Sequence, residues 1–229
     1  MLEHLWFPHD ISTFGPQIDW LFILIFWITV IIWALVMIAM VTFMVRYRHR
    51  PGRKAEYIEG NPRLEVFWTT ATAVILIALA LMSKSTWAEI KEHGPPGQVF
   101  YQVAGKQFNW EITYPGPDGK FGPKAVTVEN EMHVPVNQVV RIELTSKDVI
   151  HSFFVPSMRL KQDAVPGRTI HVWFQAREAG TYAIPCAELC GFGHSGMRGW
   201  LYVHTPEEYA AWAQEHGVGA PVASAGQGS

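Results

Sequence analysis

Gln107-Phe108-Asn109-Trp110-Glu111-Ile112-Thr113-Tyr114 alternates polar and apolar side chains without a break. A period of two marks a half-buried β-strand, because successive side chains of a strand point to opposite faces. The alternation places Phe108, Trp110, Ile112 and Tyr114 together on one face. Outward from this stretch, β-rich segments recur at 125–129, 138–145, 149–155, 168–175, 179–184 and 198–204, between Gly and Pro punctuation. Short strands in this number, with no helix between them, predict an antiparallel β-sandwich or barrel. One helix closes the β-domain, with Thr205 as N-cap, Pro206 at its first position and Glu208 completing a capping box. From Gly217 the composition turns to Gly, Ala and Ser, and a flexible tail is expected over 217–229.

Before the β-rich part, His93-Gly94-Pro95-Pro96-Gly97 reads as a linker. Two uncharged runs precede it, 26 residues between Asp19 and Arg46 and 18 between Glu65 and Lys84. Roughly 20 apolar residues cross a bilayer core, so both runs are expected to span one. The 229-residue chain is 49% apolar, yet its mean hydropathy is only +0.08. The hydrophobicity is therefore concentrated in these runs, unlike that of a polytopic transporter. Arg46, Arg48, Arg50, Arg53, Lys54 and Arg63 crowd between the spans, whereas residues 1–19 hold no Lys or Arg. The positive-inside bias makes that loop cytoplasmic and both termini extracytoplasmic. Trp20 and Trp87 fall near the outer boundary, where amphipathic rings prefer to sit. The start of the sequence lacks the basic n-region of a signal peptide. A formal net charge of −2 argues against nucleic acid as a partner.

The expected organisation is that of an α+β membrane protein, with a bacterial inner membrane as the expected location. An extracytoplasmic segment covers 1–19, and a transmembrane helical hairpin covers 20–88 with its basic loop at 46–64. An extracytoplasmic β-domain with a C-terminal helix covers 89–216.

The chemistry is concentrated in Pro185-Cys186-Ala187-Glu188-Leu189-Cys190-Gly191-Phe192-Gly193-His194-Ser195-Gly196-Met197. Two thiolates, an imidazole and a thioether lie within a dozen residues. The spacing of four would also suit a helix face, but Pro185 and three glycines make a helix costly, by about 1 kcal/mol per Gly. A loop wrapped around a metal is the better reading. Thiolate and thioether favour copper over hard ions, and Met is a common weak axial ligand at copper electron-transfer sites. Zinc competes through two Cys and two His, although no His-x3–5-His partner is present and zinc has no use for Met197. A simple disulfide leaves His194 and Met197 unexplained. Two thiolates exceed what one blue copper needs and can bridge two ions. A second imidazole is then wanted, and His151, at a strand position in Asp148-Val149-Ile150-His151-Ser152, is the best candidate.

The combination of Asp148-Val149-Ile150-His151-Ser152, Lys161-Gln162-Asp163-Ala164-Val165-Pro166-Gly167-Arg168 and Cys-x3-Cys-x3-His-x2-Met resembles cytochrome c oxidase subunit II. The likeness covers nearly the whole chain. It implies a cupredoxin-like β-sandwich holding a binuclear CuA centre of two copper ions. Cys186 and Cys190 match its bridging ligands, His151 and His194 its terminal imidazoles, Met197 its axial ligand and Glu188 its carbonyl ligand. In the family that glutamate also reaches a magnesium shared with the catalytic subunit. The resemblance further implies electron transfer from a c-type cytochrome to haem in subunit I, coupled to oxygen reduction and proton translocation, with subunit III in the same assembly. Glu65 matches the mouth of a proton channel.

The sequence also departs from the family. Thr70-Ala71-Thr72 stands in the second helix where relatives often carry Pro. Phe108 occupies the position of the Trp through which electrons arrive, with Trp110 two residues on. Lys147 precedes Asp148 where an acidic neighbour is common. Residues 89–229 carry 11 Lys/Arg and 14 Asp/Glu, so the domain is mildly acidic. No Cys-x-x-Cys-His occurs, so no covalently attached haem is expected. The alternatives are the CuA subunit of a nitric oxide reductase and a free-standing, membrane-tethered copper carrier. Nitrous oxide reductase would require a further catalytic domain, and quinol oxidases lack the copper ligands.

Overall fold

The computed structural model describes residues 7–54, 56–91, 95–96 and 99–219. Of the expected linker only Pro95 and Pro96 fall within that range, and the tail from 220 onward lies outside it. The chain divides into two units, residues 17–92 and the remainder.

The first unit is built on two helices, α1 (Gly15–Arg46) and α2 (Pro62–Lys91). At about 1.5 Å per residue each exceeds the roughly 30 Å of a bilayer core. Their apolar side chains point outward: Trp33, Leu35, Ile38, Val66, Phe67 and Leu76 are all exposed. Surfaces of this kind are stable in lipid rather than in water. Helix α2 has an N-terminus of the expected chemistry. The Asn61 carboxamide oxygen accepts hydrogen bonds from the backbone N–H groups of Arg63 and Leu64 (3.1 and 3.2 Å), Pro62 occupies the first position and Glu65 lies in the first turn.

The second unit is a β-sandwich. Its larger sheet has the order β3-β2-β1-β5-β8, formed by β1 (Val99–Lys106), β2 (Asn109–Tyr114), β3 (Val126–Glu129), β5 (Val139–Ser146) and β8 (Ile170–Gln175). A three-stranded sheet orders β4 (Glu131–Pro135), β10 (Arg198–His204) and β9 (Gly180–Pro185). A hairpin of β6 (His151–Val155) and β7 (Leu160–Ala164) completes the unit. Burial alternates along β1, β2 and β5 as half-buried strands require, sending Tyr101, Val103, Trp110, Ile112, Ile142 and Leu144 into the core.

Two expectations are corrected here. The sheets are mixed rather than antiparallel: β1 runs parallel to β5 and β10 parallel to β4. Alternation reports which face a residue occupies and carries no information on strand direction. The second correction concerns the stretch 107–114. It is not one strand, because Lys106 pairs with Asn109 and the chain reverses at Gln107-Phe108. Phe108 and Trp110 therefore do not share a face. Trp110 is fully buried, while Phe108 on the turn is 39% exposed.

Residues 7–14, before α1, belong to the β-unit. Ile11 is fully buried; its N–H donates to the Ser157 carbonyl (2.9 Å) and its carbonyl accepts from Arg177 (2.7 Å). Asp10 pairs with Arg177 (3.0 Å). The closing helix α3 (Pro206–His216) has its capping box, Thr205 and Glu208 bonding reciprocally, and stops at Gly217, whose φ of 66° is left-handed.

Candidate metal centre

Strand β6 begins with His151, and its other edge residue Phe153 bridges to Cys186 at the end of β9. That bridge, with an Ala187 N–H bond to the Ser152 carbonyl (3.0 Å), brings His151 to the 186–197 loop. Strand β7, which overlaps the 161–168 stretch, pairs with β6 and puts Ala164 opposite His151. The loop is not helical until a single tight turn at His194–Gly196, as the glycines predicted. Gly191 adopts a φ of 133°, a conformation side chains rarely allow.

The six residues expected at the site converge. Cys186 and Cys190 are free thiols with sulfurs 3.8 Å apart, far beyond the ~2.05 Å of a disulfide. His151 Nδ1 lies 3.9 Å from Cys186 Sγ, and His194 Nδ1 lies 3.6 Å from Cys190 Sγ. Met197 Sδ approaches Cys190 Sγ to 3.8 Å, and the Glu188 carbonyl oxygen lies 3.3 Å from Cys186 Sγ. His151, Cys186, Cys190 and Met197 are buried, so the sulfurs sit out of water.

The donor chemistry fits soft ions. At a metal–sulfur distance of about 2.3 Å, sulfurs this far apart subtend roughly a tetrahedral angle at a shared ion. Each sulfur also has its own imidazole. His151, Cys186 and Cys190 offer ligand atoms all within 4.8 Å of one another, and His194 stands outside that group. Six donors with the imidazoles divided between two sulfurs exceed one tetrahedral zinc shell.

Surrounding groups fix these side chains. Asp148 accepts from His151 Nε2 at 2.7 Å, which leaves Nδ1 facing Cys186 Sγ. The backbone N–H groups of Gln107 and Val149 donate to the same carboxylate, each at 2.6 Å. Partial burial raises the Asp148 pKa, but these hydrogen bonds outweigh it and hold the carboxyl below its ordinary value. Burial, and then the neighbouring Cys186, push the Cys190 thiol up to about 11. Protons must therefore be displaced when metal enters.

Phe108 lies on the loop. A Cβ added at Gly193 would fall 2.5 Å from its ring, and one at Gly191 would fall 3.2 Å away. Trp110, behind it, meets the His151 ring edge-on with centroids 6.0 Å apart. Glu65 is remote in sequence and exposed in the first turn of α2.

Three residues escaped the sequence reading. Gln107 donates its side-chain amide to the Cys190 carbonyl at 2.6 Å, and Gly105 forms the floor beneath His151. Phe192, within the loop, is fully exposed. The first two act through residues far along the chain, so no local pattern reveals them. Phe192 was visible as an apolar residue among glycines.

The family profile described as "Cytochrome C oxidase subunit II, periplasmic domain" matches residues 118–201. Its companion, the transmembrane domain of the same subunit, matches residues 3–85. Similar proteins include cytochrome c oxidase subunit 2 of Thermostichus vulcanus, 31% identical over 93% of this chain and 79% of that protein. An alternative cytochrome c oxidase subunit 2 of Bradyrhizobium diazoefficiens is 30% identical, over 94% and 87% respectively. Among solved structures, the periplasmic domain of subunit II of cytochrome oxidase from Bradyrhizobium japonicum is 33% identical. It covers 54% of this chain and 96% of its own, with a TM-score of 0.49.

Proposed function

This chain belongs to the cytochrome c oxidase subunit II family, and we propose that it is the subunit through which electrons enter a haem–copper oxidase. Its donor is a c-type cytochrome and its acceptor a haem in catalytic subunit I, where oxygen is reduced and protons are translocated; subunit III is a further partner. The observation that carries this reading is the pair of thiols 3.8 Å apart, each with its own imidazole.

His151, Cys186, Cys190, His194, Met197 and the Glu188 carbonyl hold two copper ions in this reading. Two copper ions held there would supply a carrier that spreads one electron over both. The protein keeps that carrier dry by burying both cysteines and Met197. It fixes the ligands on a strand, a ladder bridge and a tight loop, so their positions change little as the charge changes. The Glu188 side chain is exposed and free to reach a magnesium ion shared with the catalytic subunit. Glu65 marks the mouth of a proton channel. The β-domain and both termini are extracytoplasmic, which the basic loop between the helices supports. Membership of one folded unit by residues 7–16 and the β-domain also supports it, since two crossings return a chain to its starting side.

The test is metal content and spectrum of the full chain, purified in detergent and loaded with copper. Two coppers per chain with a purple mixed-valence spectrum are expected, lost in Cys186→Ser and Cys190→Ser. One copper with a blue-type band, or tight zinc without a coloured copper form, would sink the reading.

A further inference from the structure

The two halves of the donor set are held to the domain by different means. The Cys186 half is laced into backbone: its N–H donates to the Met197 carbonyl (3.0 Å), Ala187 donates to Ser152, and Phe153 bridges to Cys186. The Cys190 half is not. Among the described residues, the hydrogen bond tying 189–193 to another element is the one from Gln107 Nε2 to the Cys190 carbonyl, at 2.6 Å. The other bonds of this segment close its own turns, His194 N–H to Gly191 and Gly196 N–H to Gly193.

Gln107 also faces the opposite half. Its backbone N–H donates to Asp148 at 2.6 Å, and Asp148 in turn receives His151 Nε2 at 2.7 Å. One residue with no metal-binding contact thus joins His151 to Cys190 through His151–Asp148–Gln107–Cys190. It sits on the β1–β2 turn, where the neighbouring Phe108 ring packs over Gly191 and Gly193.

We propose that Gln107 is a positioning residue, a clamp from the β1–β2 turn that sets the Cys190 half of the copper centre against the His151 half. This rests on the function proposed above. The amide reaches a carbonyl, not a ligand atom, so it acts by orienting the Cys190 peptide and with it Sγ. Cys190 Sγ faces three candidate donors at once, with Cys186, His194 and Met197 sulfur or nitrogen atoms at 3.6–3.8 Å. A small rotation of this peptide makes the two halves unequal, and an electron shared evenly between two ions is sensitive to such inequality.

The experiment compares the copper-loaded full chain in detergent with Gln107→Ala and Gln107→Glu. Alanine removes the amide. Glutamate keeps its size but presents an acceptor to the Cys190 carbonyl, and it reports on the clamp should alanine fold poorly. Both substitutions leave the backbone N–H to Asp148 in place. Loss of copper to a chelator is expected to be faster by about tenfold, the lower end for groups supporting metal ligands. The mixed-valence visible and electron paramagnetic resonance spectra should change, and the reduction potential should shift. Thermal unfolding of the copper-free chain should stay near wild type, since a single part-buried side-chain hydrogen bond adds little net stability. Wild-type copper retention, spectrum and potential in both variants would overturn the clamp. Failure of the unmutated chain to hold two coppers would instead overturn the proposed function, so the two failures are distinguishable.

Discussion

Gly105 lies so close beneath His151 that a Cβ at position 105 would fall 2.9 Å from the imidazole Cδ2 and 3.1 Å from the Trp110 ring. Both rings are fully buried, so neither has room to withdraw. Gly105→Ala is therefore expected to overpack the floor of the site, at a cost of about 1–3 kcal/mol. The added methyl should also tilt His151 away from Cys186. A lower melting temperature of the copper-free chain together with an altered copper spectrum is the expected result. Gly122, with open space where its Cβ would stand, is the control, and Gly122→Ala should leave the spectrum unchanged.

Met197 separates tuning from holding. Its sulfur is buried and 3.8 Å from Cys190 Sγ, whereas the cysteines and histidines supply the strong donors. Met197→Leu keeps the volume and removes the thioether. Copper content should remain near wild type while the reduction potential moves, because a weak axial ligand tunes a copper site more than it retains the metal. Loss of copper in this variant, measured by elemental analysis, would make Met197 a principal ligand.

His133 gives a pH dependence remote from the metal. It is buried and stacks on Trp212 of α3, with centroids 4.2 Å apart. Burial, then the nearby His204 and His216, depress its pKa from 6.5 to about 4. The unfolded chain therefore binds more protons between these values, and stability rises with pH across that window. The contribution is complete above pH 6.5 and is lost as pH falls toward 4. It amounts to about 3 kcal/mol. His133→Phe should flatten the fall in melting temperature between pH 7 and 4.5. An unchanged slope would show that the stack tolerates the charge.

Glu65 stands in the first turn of α2, where a carboxylate is favoured by the helix dipole whatever its function. Glu65→Gln is expected to slow turnover of the assembled oxidase while copper content and assembly stay intact. Turnover unchanged across pH would reduce Glu65 to a capping charge.

The legible parts of this protein were those set by local periodicity or local chemistry. The two apolar runs, the capping box at Thr205 and Glu208, and the donor-rich loop each fit within a few turns of chain. Strand β4 escaped because Met132, His133, Val134 and Pro135 are all buried, a pattern without alternation. Strand β7 escaped for the opposite reason, since Lys161, Gln162 and Asp163 offer little apolar signal. The turn at Gln107-Phe108 was hidden because residues 107 and 108 continue the alternation of β2 by coincidence. Strand direction and the reach of Gln107 to Cys190 depend on pairing between distant segments. Those are properties of the folded domain, not of any window of sequence.

The turn that hid Phe108 also determines how a donor should meet the site. Phe108 is 39% exposed over the copper loop, and the Phe192 side chain stands fully exposed within it. Three of the acidic groups nearby are engaged within the chain, while Glu188, on the loop itself, is exposed. Glu111 pairs with Lys106 at 2.6 Å and also with Lys147. Glu129 pairs with Lys106 at 3.1 Å, and Asp148 faces His151 and Gln107. Burial alone would raise the Glu111 pKa, but the two lysines outweigh it and keep the group ionised. Two lysines thus balance Glu111 and Glu129, so that Asp148 and Glu188 are the charges left to steer a basic partner. The native donor is expected to dock mainly by apolar contact. Its oxidation rate should depend only weakly on ionic strength, since strong steering is screened within about 10 Å at 0.1 M salt. Phe108→Ala and Phe192→Ala should each slow electron transfer from the donor by about tenfold, as loss of an aromatic anchor does. The copper spectrum must be unchanged in both for the loss to be assigned to docking. A steep fall in rate with salt, with little effect of removing either ring, would show instead that the donor is drawn in by the domain's acidic charge.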